Sequence, residues 1–439
     1  MIGYYLSLAL RSLKRTPILT VIKILIIAVG IGASMTTLTV LHILSADPLP
    51  GKSVHLFYPQ VDASPKGYTS GGPMPMLDYQ SAVDLWRAHR ADKQALVVTS
   101  TVKVSAPETS HPPLMLAMLS TTSDFFQMFD VPFKYGSAWT PADGNARARV
   151  AVISADLNDR LFGGGDSVGR ILHIKDSDVR IIGVLKQWHP VPRFYNLYGD
   201  TSTNGQGDPA YGNVEDVIVP FFTGLEIGDG TFEQYSCWGT PPLSGHLQNA
   251  PCVWVALWVE LSNSEKIAQY REFVQHYAQQ QMALGRFTQT DTRMLDLTQW
   301  LRFNNVIPTY VKLQNWLAFA FLAICLFNNS ALLLATFMQR CGEIAVRRAL
   351  GASRNAIFAQ YLVEAGLTGL IGGVGGWLLA LFGLWLVRRQ PTPYSTIVGM
   401  DLPMFITTLL LAIITSLFSG VLPAWRMSQT PPAMQLKTQ

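Results

Sequence analysis

The stretch RCGEIAVRRALGAS, residues 340–353, is a short basic segment between two long apolar runs. Charged side chains are costly inside the hydrocarbon core, so this segment must lie at a membrane surface if the flanking runs cross the membrane. Glu343 precedes Arg347 by four residues, an arrangement that supports an exposed helix. Gly351 suits the end of that helix, because glycine adopts the left-handed conformation at low cost. The sequence therefore predicts a short surface helix between two membrane spans.

The composition of the chain also points to membrane spans. Hydrophobic residues make up 49% of the 439 residues, whereas charged residues make up only 14%. A soluble protein of ordinary composition has about a quarter charged residues. The deficit is concentrated in a few apolar runs, which indicates membrane-spanning helices beside a soluble domain of ordinary composition.

Four apolar runs are long enough to cross a membrane, since a helix needs about 20 residues to span the hydrocarbon core. The runs cover approximately residues 18–44, 316–338, 365–387 and 405–425. The first run is far longer than the about 7–15 apolar residues of a cleaved signal peptide, so we expect an uncleaved anchor. Lys23, near one end of this run, is expected to extend its stem back to the lipid headgroups.

Basic residues outside the apolar runs predict the orientation. When four spans are threaded, three basic groups fall on one side, which the positive-inside rule assigns to the cytoplasm. These groups are Arg11, Lys14 and Arg15; Arg340, Arg347, Arg348 and Arg354; and Arg426 and Lys437. Arg388 and Arg389 fall on the opposite side and break the pattern. Both termini are therefore expected in the cytoplasm, with Ser45–Lys312 outside.

The expected fold is an α-helical membrane protein with four transmembrane helices and a large α/β (α+β) domain inserted between helices 1 and 2. Residues 1–45 would hold a cytoplasmic amphipathic segment and the first transmembrane helix. Residues 46–312 would form the external domain. Residues 313–439 would hold the other three transmembrane helices and the surface helix 340–353.

Local patterns predict both strands and helices in the external domain. Val150–Ile153 is a short apolar strand, and Ser154 can cap a helix that follows it. Residues 170–174 and 179–184 alternate as the two strands of a hairpin, and residues 265–281 repeat apolar side chains at helical spacing. A long polar loop carries four acidic residues that we expect to be solvated: Asp200, Asp208, Glu215 and Asp216.

The four cysteines divide by expected compartment. Cys325 lies within the second apolar run and Cys341 in the segment that would face the reducing cytosol, so both are expected to be free thiols. Cys237 and Cys252 lie in the external domain, where an oxidising compartment favours a disulfide. Two buried free thiols are the alternative for this second pair.

The third apolar run is rich in glycine. Two pairs in it have the G-x-x-x-G spacing: Gly369 with Gly373, and Gly372 with Gly376. This spacing permits close backbone contact between helices, either within one chain or between two copies. In the second run, Asn328 and Asn329 are polar groups at membrane depth, so at least one is expected to face another helix.

Several segments resemble one family of membrane proteins. Residues 343–352 follow the pattern E-I-x-x-x-R-A-L-G-A, and Gly420–Ala424 ends the fourth run, as in the FtsX-like permease domain. Asp124–Phe133, and Val150–Ser154 with the later Leu161-Phe162-Gly163, resemble the periplasmic core domain of MacB-type permeases. By their order and topology, these matches identify the chain as a member of the MacB/FtsX-type ABC transporter permeases.

The resemblance implies that segment 340–353 is a coupling helix that contacts an ATPase at the cytoplasmic face. Six residues would form this contact: Glu343, Ile344, Arg347, Arg348, Leu350 and Gly351. The alternative is a positively charged loop that only fixes the topology.

The sequence offers little that points to catalysis. It contains no G-x-x-x-x-G-K-[ST] phosphate-binding loop, and the glycine-rich residues 163–170 lack the Lys-Ser/Thr pair. His173 and His189 have no companions at zinc-ligand spacing. We therefore expect this chain to be a non-catalytic membrane subunit that binds no metal or cofactor. ATP and magnesium would be bound by a separate ABC ATPase subunit.

The expected function is that of a permease subunit in the bacterial inner membrane that couples ATP hydrolysis by an ATPase dimer to movement of its periplasmic domain. The resemblance implies export of an antibiotic, a peptide or a siderophore-like cargo. Further partners would be a second permease copy or a homologous permease, a periplasmic adaptor, an outer-membrane channel and membrane lipid, but not nucleic acid. Lipoprotein release, control of a cell-wall hydrolase, a membrane-anchored sensor and a tethered enzyme are the alternatives.

The predicted orientation can be tested by labelling single cysteines with a reagent that does not cross membranes. In a chain without its native free cysteines, a cysteine at Gly205 should react in intact cells. A cysteine at Ser353 should react only after the membrane is opened, because the positive-inside rule places it in the cytoplasm. The reverse pattern would contradict the whole topology.

Overall fold

The computed structural model describes residues 2–69, 71–107, 111–197, 209–212, 214–240, 246–339, 342, 346–347, 350–390 and 399–429. It divides into two compact units. The external unit is Ala46–Val306, and the membrane unit combines Met1–Ser45 with Ile307–Gln439. The predicted boundary between residues 312 and 313 falls inside a helix that begins at Thr309, so this boundary moves to between Val306 and Ile307.

The elements follow one another in the chain with a helical part at each end and a mixed part between. The helices are α1 Ile2–Arg15, α2 Pro17–Leu44, α3 Tyr79–Arg87, α4 Asp124–Met128, α5 Pro141–Asn145, α6 Ala155–Phe162, α7 Phe221–Ile227, α8 Ser264–Ala283, α9 Leu297–Phe303, α10 Thr309–Met338, α11 Arg354–Arg388 and α12 Leu402–Gln429. The strands are β1 Leu56–Val61, β2 Lys93–Ser105, β3 Leu114–Thr121, β4 Phe133–Gly136, β5 Val150–Ile153, β6 Ile171–Ile174, β7 Ser177–Leu185, β8 Val217–Pro220, β9 Ser236–Cys237, β10 Cys252–Val253, β11 Ala256–Glu260 and β12 Thr292–Asp296.

Four helices of the membrane unit are long and apolar enough to cross a membrane: α2, α10, α11 and α12. They contain the four predicted apolar runs, so the predicted number and order of candidate spans are confirmed. The helices α10 and α11 begin before the apolar runs do, because a helix can continue into the interface where polar side chains are solvated. Pro17 occupies the first position of α2, where a missing N–H is tolerated.

A ten-stranded mixed sheet organises the external unit. Its main path runs β12-β1-β11-β2-β3-β8-β5-β7-β4, with β6 paired to both β2 and β7. Most neighbours are antiparallel, whereas β3 with β8 and β5 with β7 are parallel. One apolar core packs α3 and α8 on the β1 and β11 side, and a second packs α6 on the β5 to β8 side. The mixed α/β prediction is therefore confirmed, with all strands of the path in one sheet.

The predicted strand, helix and hairpin of the external unit are present. The Ser154 side chain accepts a hydrogen bond from the Leu157 N–H at the start of α6, and Gly163 ends that helix with φ +71°. The β6 and β7 strands pair antiparallel and are joined by a tight turn in which Lys175 has φ +48°. The helix predicted over 265–281 is α8, which buries one face through its apolar side chains. Hydrophobic periodicity was sufficient to predict the hairpin and α8, whereas the apolar run 150–153 and the cap at Ser154 predicted β5 and α6.

Candidate functional site

The segment between α10 and α11 contains the six residues predicted to contact an ATPase. Three of them, Glu343, Ile344 and Arg348, lie outside the described residues. The other three are placed: Arg347, Leu350 and Gly351. Arg347 Nη1 donates to Gln360 Oε1 at 3.0 Å, and the Leu350 side chain is 83% exposed.

Gly351 ends a helical turn at the close of this segment. The Leu350 N–H donates to the Val346 carbonyl at 3.0 Å, and the Ala352 N–H donates to the Arg347 carbonyl at 3.1 Å. Gly351 lies between them with φ +99°, the left-handed conformation that favours glycine. The pattern is that of a Schellman-type helix end, after which the side chain of Ser353 caps α11. The chain thus leaves one helical turn and enters the next span within a few residues.

The first glycine pair of α11 faces α12. A Cβ atom at Gly369 would lie 2.0 Å from Ser416 Cβ, and one at Gly373 would lie 2.5 Å from Ala412 Cβ. Both distances are far below van der Waals contact, so only glycine permits this approach of the two helices. The Ser416 hydroxyl also donates to the Ala365 carbonyl of α11. Close packing and a hydrogen bond therefore join α11 to α12.

The second glycine pair faces α2. A Cβ atom at Gly372 would lie 2.7 Å from Ile27 Cγ2, and one at Gly376 would lie 2.9 Å from Ile31 Cβ. The two G-x-x-x-G pairs therefore pack against two different helices of the same chain, and all four glycines contact helices of that chain.

Several polar side chains are buried among the candidate spans. Lys23 is only 1% exposed, and its ammonium donates to Thr336 Oγ1 at 3.2 Å. The predicted extension of Lys23 to the headgroups is therefore wrong, because α2 turns this side chain toward α10. Glu364 of α11 is 3% exposed and accepts a hydrogen bond from Ser12 Oγ at 2.5 Å. Asn329 Nδ2 donates to Ser419 Oγ of α12 at 2.9 Å, so the prediction that one asparagine faces another helix is confirmed.

Sequence reasoning missed Glu364. The third apolar run was drawn from residue 365, which excluded the carboxylate immediately before it. An acidic residue next to an apolar run, followed by small residues at helical spacing, was the available signal. Burial of such a group identifies a position where the helix packs against protein rather than lipid.

In the external unit, Cys237 and Cys252 are joined as a disulfide. They are directly opposite one another in the two-stranded sheet of β9 and β10. The Trp238 N–H donates to the Pro251 carbonyl at 3.1 Å, and the Tyr68 hydroxyl donates to the Cys237 carbonyl at 2.9 Å. The two strands are therefore held together by the covalent bond and by a backbone hydrogen bond beside it, and the Tyr68 side chain adds a hydrogen bond to β9.

Glu215 corrects the prediction of a solvated acidic loop. Its side chain is 1% exposed and accepts hydrogen bonds from Arg193 Nη1 at 3.3 Å, Tyr195 OH at 2.7 Å and Asn196 Nδ2 at 3.2 Å. Burial and the nearby Glu215 charge raise the pKa of Tyr195 well above its usual value, so the phenol remains a hydrogen-bond donor. The carboxylate anchors the chain before β8. Asp200 and Asp208 lie outside the described residues.

Asp216 lies beside this network in a cleft at the start of α6. Ser154 Oγ donates to Asp216 Oδ1 at 2.8 Å, and burial raises the pKa of Asp216 above its ordinary value. His189 Nε2 lies 3.8 Å from Asp156 Oδ2 on the cleft wall. His173 instead contacts Asp178 across the β6–β7 hairpin, at 2.8 Å. Within the described ranges, no group of three or more His, Cys, Asp or Glu side chains could hold a metal ion.

Two sequence families match the chain in succession. The model of the MacB-like periplasmic core domain matches residues 20–277. The model of the FtsX-like permease C-terminal domain matches residues 315–432. The first match covers most of α2 and the external unit as far as residue 277, and the second covers most of α10 and all of α11 and α12.

Curated relatives carry related names. The chain is 25% identical over 328 residues to the pyoverdine export ATP-binding/permease protein PvdT of Pseudomonas aeruginosa, covering 72% of this chain and 41% of that protein. It is 22% identical to the uncharacterized ABC transporter permease YvrN of Bacillus subtilis, covering 72% and 68% respectively. It is 21% identical to the macrolide export ATP-binding/permease protein MacB of Wolinella succinogenes, covering 99% and 60%. The chain thus spans less than half of the first relative, about two thirds of the second and three fifths of the third.

The glycine contacts predict a difference between two substitutions in α11. Gly369→Ala should destabilise the membrane unit by about 1–3 kcal/mol, because the new methyl group overlaps Ser416. Gly366→Ala is the matched control, since its Cβ would meet only Leu417 Cδ2, at 3.9 Å. Both changes gain the same helix propensity. Thermal unfolding of the purified chain in detergent measures the difference, and equal midpoints would contradict the packing described here.

The disulfide predicts a defined result in mass spectrometry. Without reduction, digestion should yield the peptides of Cys237 and Cys252 as one species that is lighter by two hydrogens than their sum. Replacing both cysteines by serine should destabilise the external unit by about 3 kcal/mol, the value expected from loop closure. The buried Cys325 is an internal control that should be alkylated only after denaturation. Alkylation of Cys237 and Cys252 without prior reduction would exclude the bond.

Proposed function

The chain belongs to the family of ABC transporter permeases that join a MacB-like periplasmic core domain to an FtsX-like permease domain, and on this basis we propose that it moves its periplasmic domain in response to ATP hydrolysis. In this proposal the chain itself performs no catalysis. It receives a displacement at the cytoplasmic face and passes it through the candidate spans. The termini and the segment between α10 and α11 would then face the cytoplasm.

The segment between α10 and α11 carries this proposal. It connects two candidate spans, and its described part presents Leu350 and Val346 with 83% and 54% of their surface exposed. Exposed apolar side chains beside basic ones suit a groove on a partner protein, as in other helix-in-groove contacts. The helix end at Gly351 and the cap at Ser353 connect the segment to α11 without a long flexible loop. A displacement of the segment would therefore move α11.

We further propose that the ATPase is a separate dimeric subunit that binds ATP and magnesium. In support, none of the 439 residues forms a phosphate-binding loop of the G-x-x-x-x-G-K-[ST] type. A dimeric ATPase would require two permease chains, so a second copy or a homologous permease would complete the assembly. The names of two relatives contain both ATP-binding and permease, which supports the pairing of these two activities.

For the direction of transport we propose export. Two relatives are named for the export of pyoverdine and of macrolides. The cargo of this chain would be a molecule handled on the periplasmic side, with an adaptor and an outer-membrane channel as further partners. Loss of the chain should then raise the amount of such a cargo retained by cells, which comparative metabolite analysis of a deletion strain would measure.

The coupling role predicts that Glu343→Lys weakens binding of the ATPase. The change places like charges four residues apart, which costs an exposed helix only about 0.2–0.5 kcal/mol, so folding should survive. A charge reversal at an interface costs several kcal/mol, so co-purification of vanadate-sensitive ATPase activity with the tagged chain should fall at least about tenfold. An Arg347→Ala/Arg348→Ala double variant should show the same loss.

Glu272→Lys is the matched control for this experiment. Glu272 is an exposed carboxylate on α8, in the external unit, and its partner four residues away is His276. Reversing its charge should leave the co-purified ATPase activity unchanged. If all variants recover the same activity as the wild type, segment 340–353 only fixes the topology.

A further inference from the structure

The membrane unit buries two ionisable side chains, Lys23 and Glu364. Lys23 is 1% exposed and Glu364 is 3% exposed. Ionisable groups within candidate spans are expensive to bury, and they are retained mainly where they have a function and a specific partner. Each of the two forms a hydrogen bond to a different helix, so both connect elements that are distant in the sequence.

Lys23 connects α2 to the last turn of α10. Its ammonium donates to Thr336 Oγ1 at 3.2 Å, and the Thr336 hydroxyl donates its own proton to the Leu332 carbonyl at 2.7 Å. The threonine oxygen therefore presents a lone pair to the lysine. Thr336 lies two residues before α10 ends at Met338. The contact is thus made where α10 leads into segment 340–353.

Glu364 connects α11 to the helix α1. Its carboxylate accepts a hydrogen bond from Ser12 Oγ at 2.5 Å. Glu364 lies in the third turn of α11, which begins at Arg354, directly after segment 340–353. The two buried ionisable groups therefore hold the two helices on either side of that segment.

The packing of α2 against α11 places both groups at a similar depth. Ile27 lies against Gly372 and Ile31 lies against Gly376, so the two helices run in parallel with one constant offset. The same offset, continued by one turn, brings Lys23 level with Thr368. The Thr368 hydroxyl donates to the backbone carbonyl of Glu364, one turn earlier in α11. Glu364 therefore lies about 6 Å along the helix axis from the level of Thr368 and Lys23.

We propose that Lys23 and Glu364 are positioning residues that tie α1, α2, α10 and α11 together at the end of the bundle next to segment 340–353. This inference rests on the proposed function. A displacement of the segment shifts the end of α10 and the start of α11. The Lys23 link passes the shift of α10 to α2, and the Glu364 link passes the shift of α11 to α1, which leads directly into α2. The helix α2 ends at Leu44, and the external unit begins at Ala46. Movement of the segment thereby reaches the helix that leads into the external unit.

The test is hydrogen exchange of the full chain bound to the ATPase that co-purifies with it, with and without magnesium ATP and vanadate. In the wild type, the nucleotide should change the rate of hydrogen exchange in peptides of α2 as well as in those of α10 and α11. Lys23→Met keeps the length of the side chain and removes the ammonium. This variant should make the nucleotide-dependent change in hydrogen exchange of α2 about threefold smaller, the factor that corresponds to the loss of one average interhelical hydrogen bond. Glu364→Met should act in the same direction.

Ser34→Ala is the matched control. It removes the hydrogen bond from Ser34 Oγ to the Ala318 carbonyl, which also joins α2 to α10 but lies later in α2 and earlier in α10, further from segment 340–353. Its exchange response should remain that of the wild type. A role in stability alone predicts that Lys23→Met lowers the melting temperature and leaves the nucleotide response intact. The positioning role predicts a smaller nucleotide response whether or not the melting temperature changes.

The outcomes separate the two proposals. If the wild type recovers no ATPase, the proposed function fails and this inference fails with it. If the wild type recovers the ATPase and Lys23→Met keeps the full response of α2, only the positioning role is overturned. An equal loss of response in Ser34→Ala and Lys23→Met also overturns it, because any buried contact between the two helices would then serve.

Discussion

The close contact of α11 with α2 on one side and α12 on the other is the constraint on which the membrane unit depends. Lipid tails are as apolar as leucine, so helices in a bilayer associate through van der Waals contact and hydrogen bonds rather than through the hydrophobic effect. The Cβ distances at Gly369 and Gly372 would be 2.0 and 2.7 Å, which excludes larger residues at both positions. Because α11 is fixed between two neighbours, its polar residues are also fixed in depth and direction.

The elements that could be predicted from the sequence are those specified by neighbouring residues. The length of an apolar run predicts a candidate span, and alternation over 170–174 and 179–184 predicts a hairpin. Resemblance added the coupling role of segment 340–353 and of its six residues, of which the structure describes three. The position of Gly351 at a helix end followed from its conformational freedom alone. Local chemistry therefore accounts for most of the architecture.

The burial of individual polar groups could not be predicted, because it depends on residues far away in the chain. Lys23 and Thr336 are separated by 313 positions and Ser12 and Glu364 by 352. Neither separation leaves a periodic pattern in the sequence. The solvent exposure of Glu215 was predicted wrongly for the same reason, since its burial depends on how the segment before β8 packs rather than on the composition of its loop. A polar stretch therefore predicts solvent exposure only where no distant element covers it.

The contacts of α2 with its two neighbours differ in kind. Against α11, two glycines and two isoleucines bring the backbones together, and such packing is lost steeply when the distance changes. Against α10, Gly30 packs on Cys325, but Lys23 and Ser34 add hydrogen bonds at two further depths. A hydrogen bond between membrane helices contributes only about 0.6 kcal/mol on average and can be exchanged for another partner. The contact of α2 with α10 therefore depends on individual polar side chains that a single substitution can remove, whereas its contact with α11 depends on the shapes of the two helices.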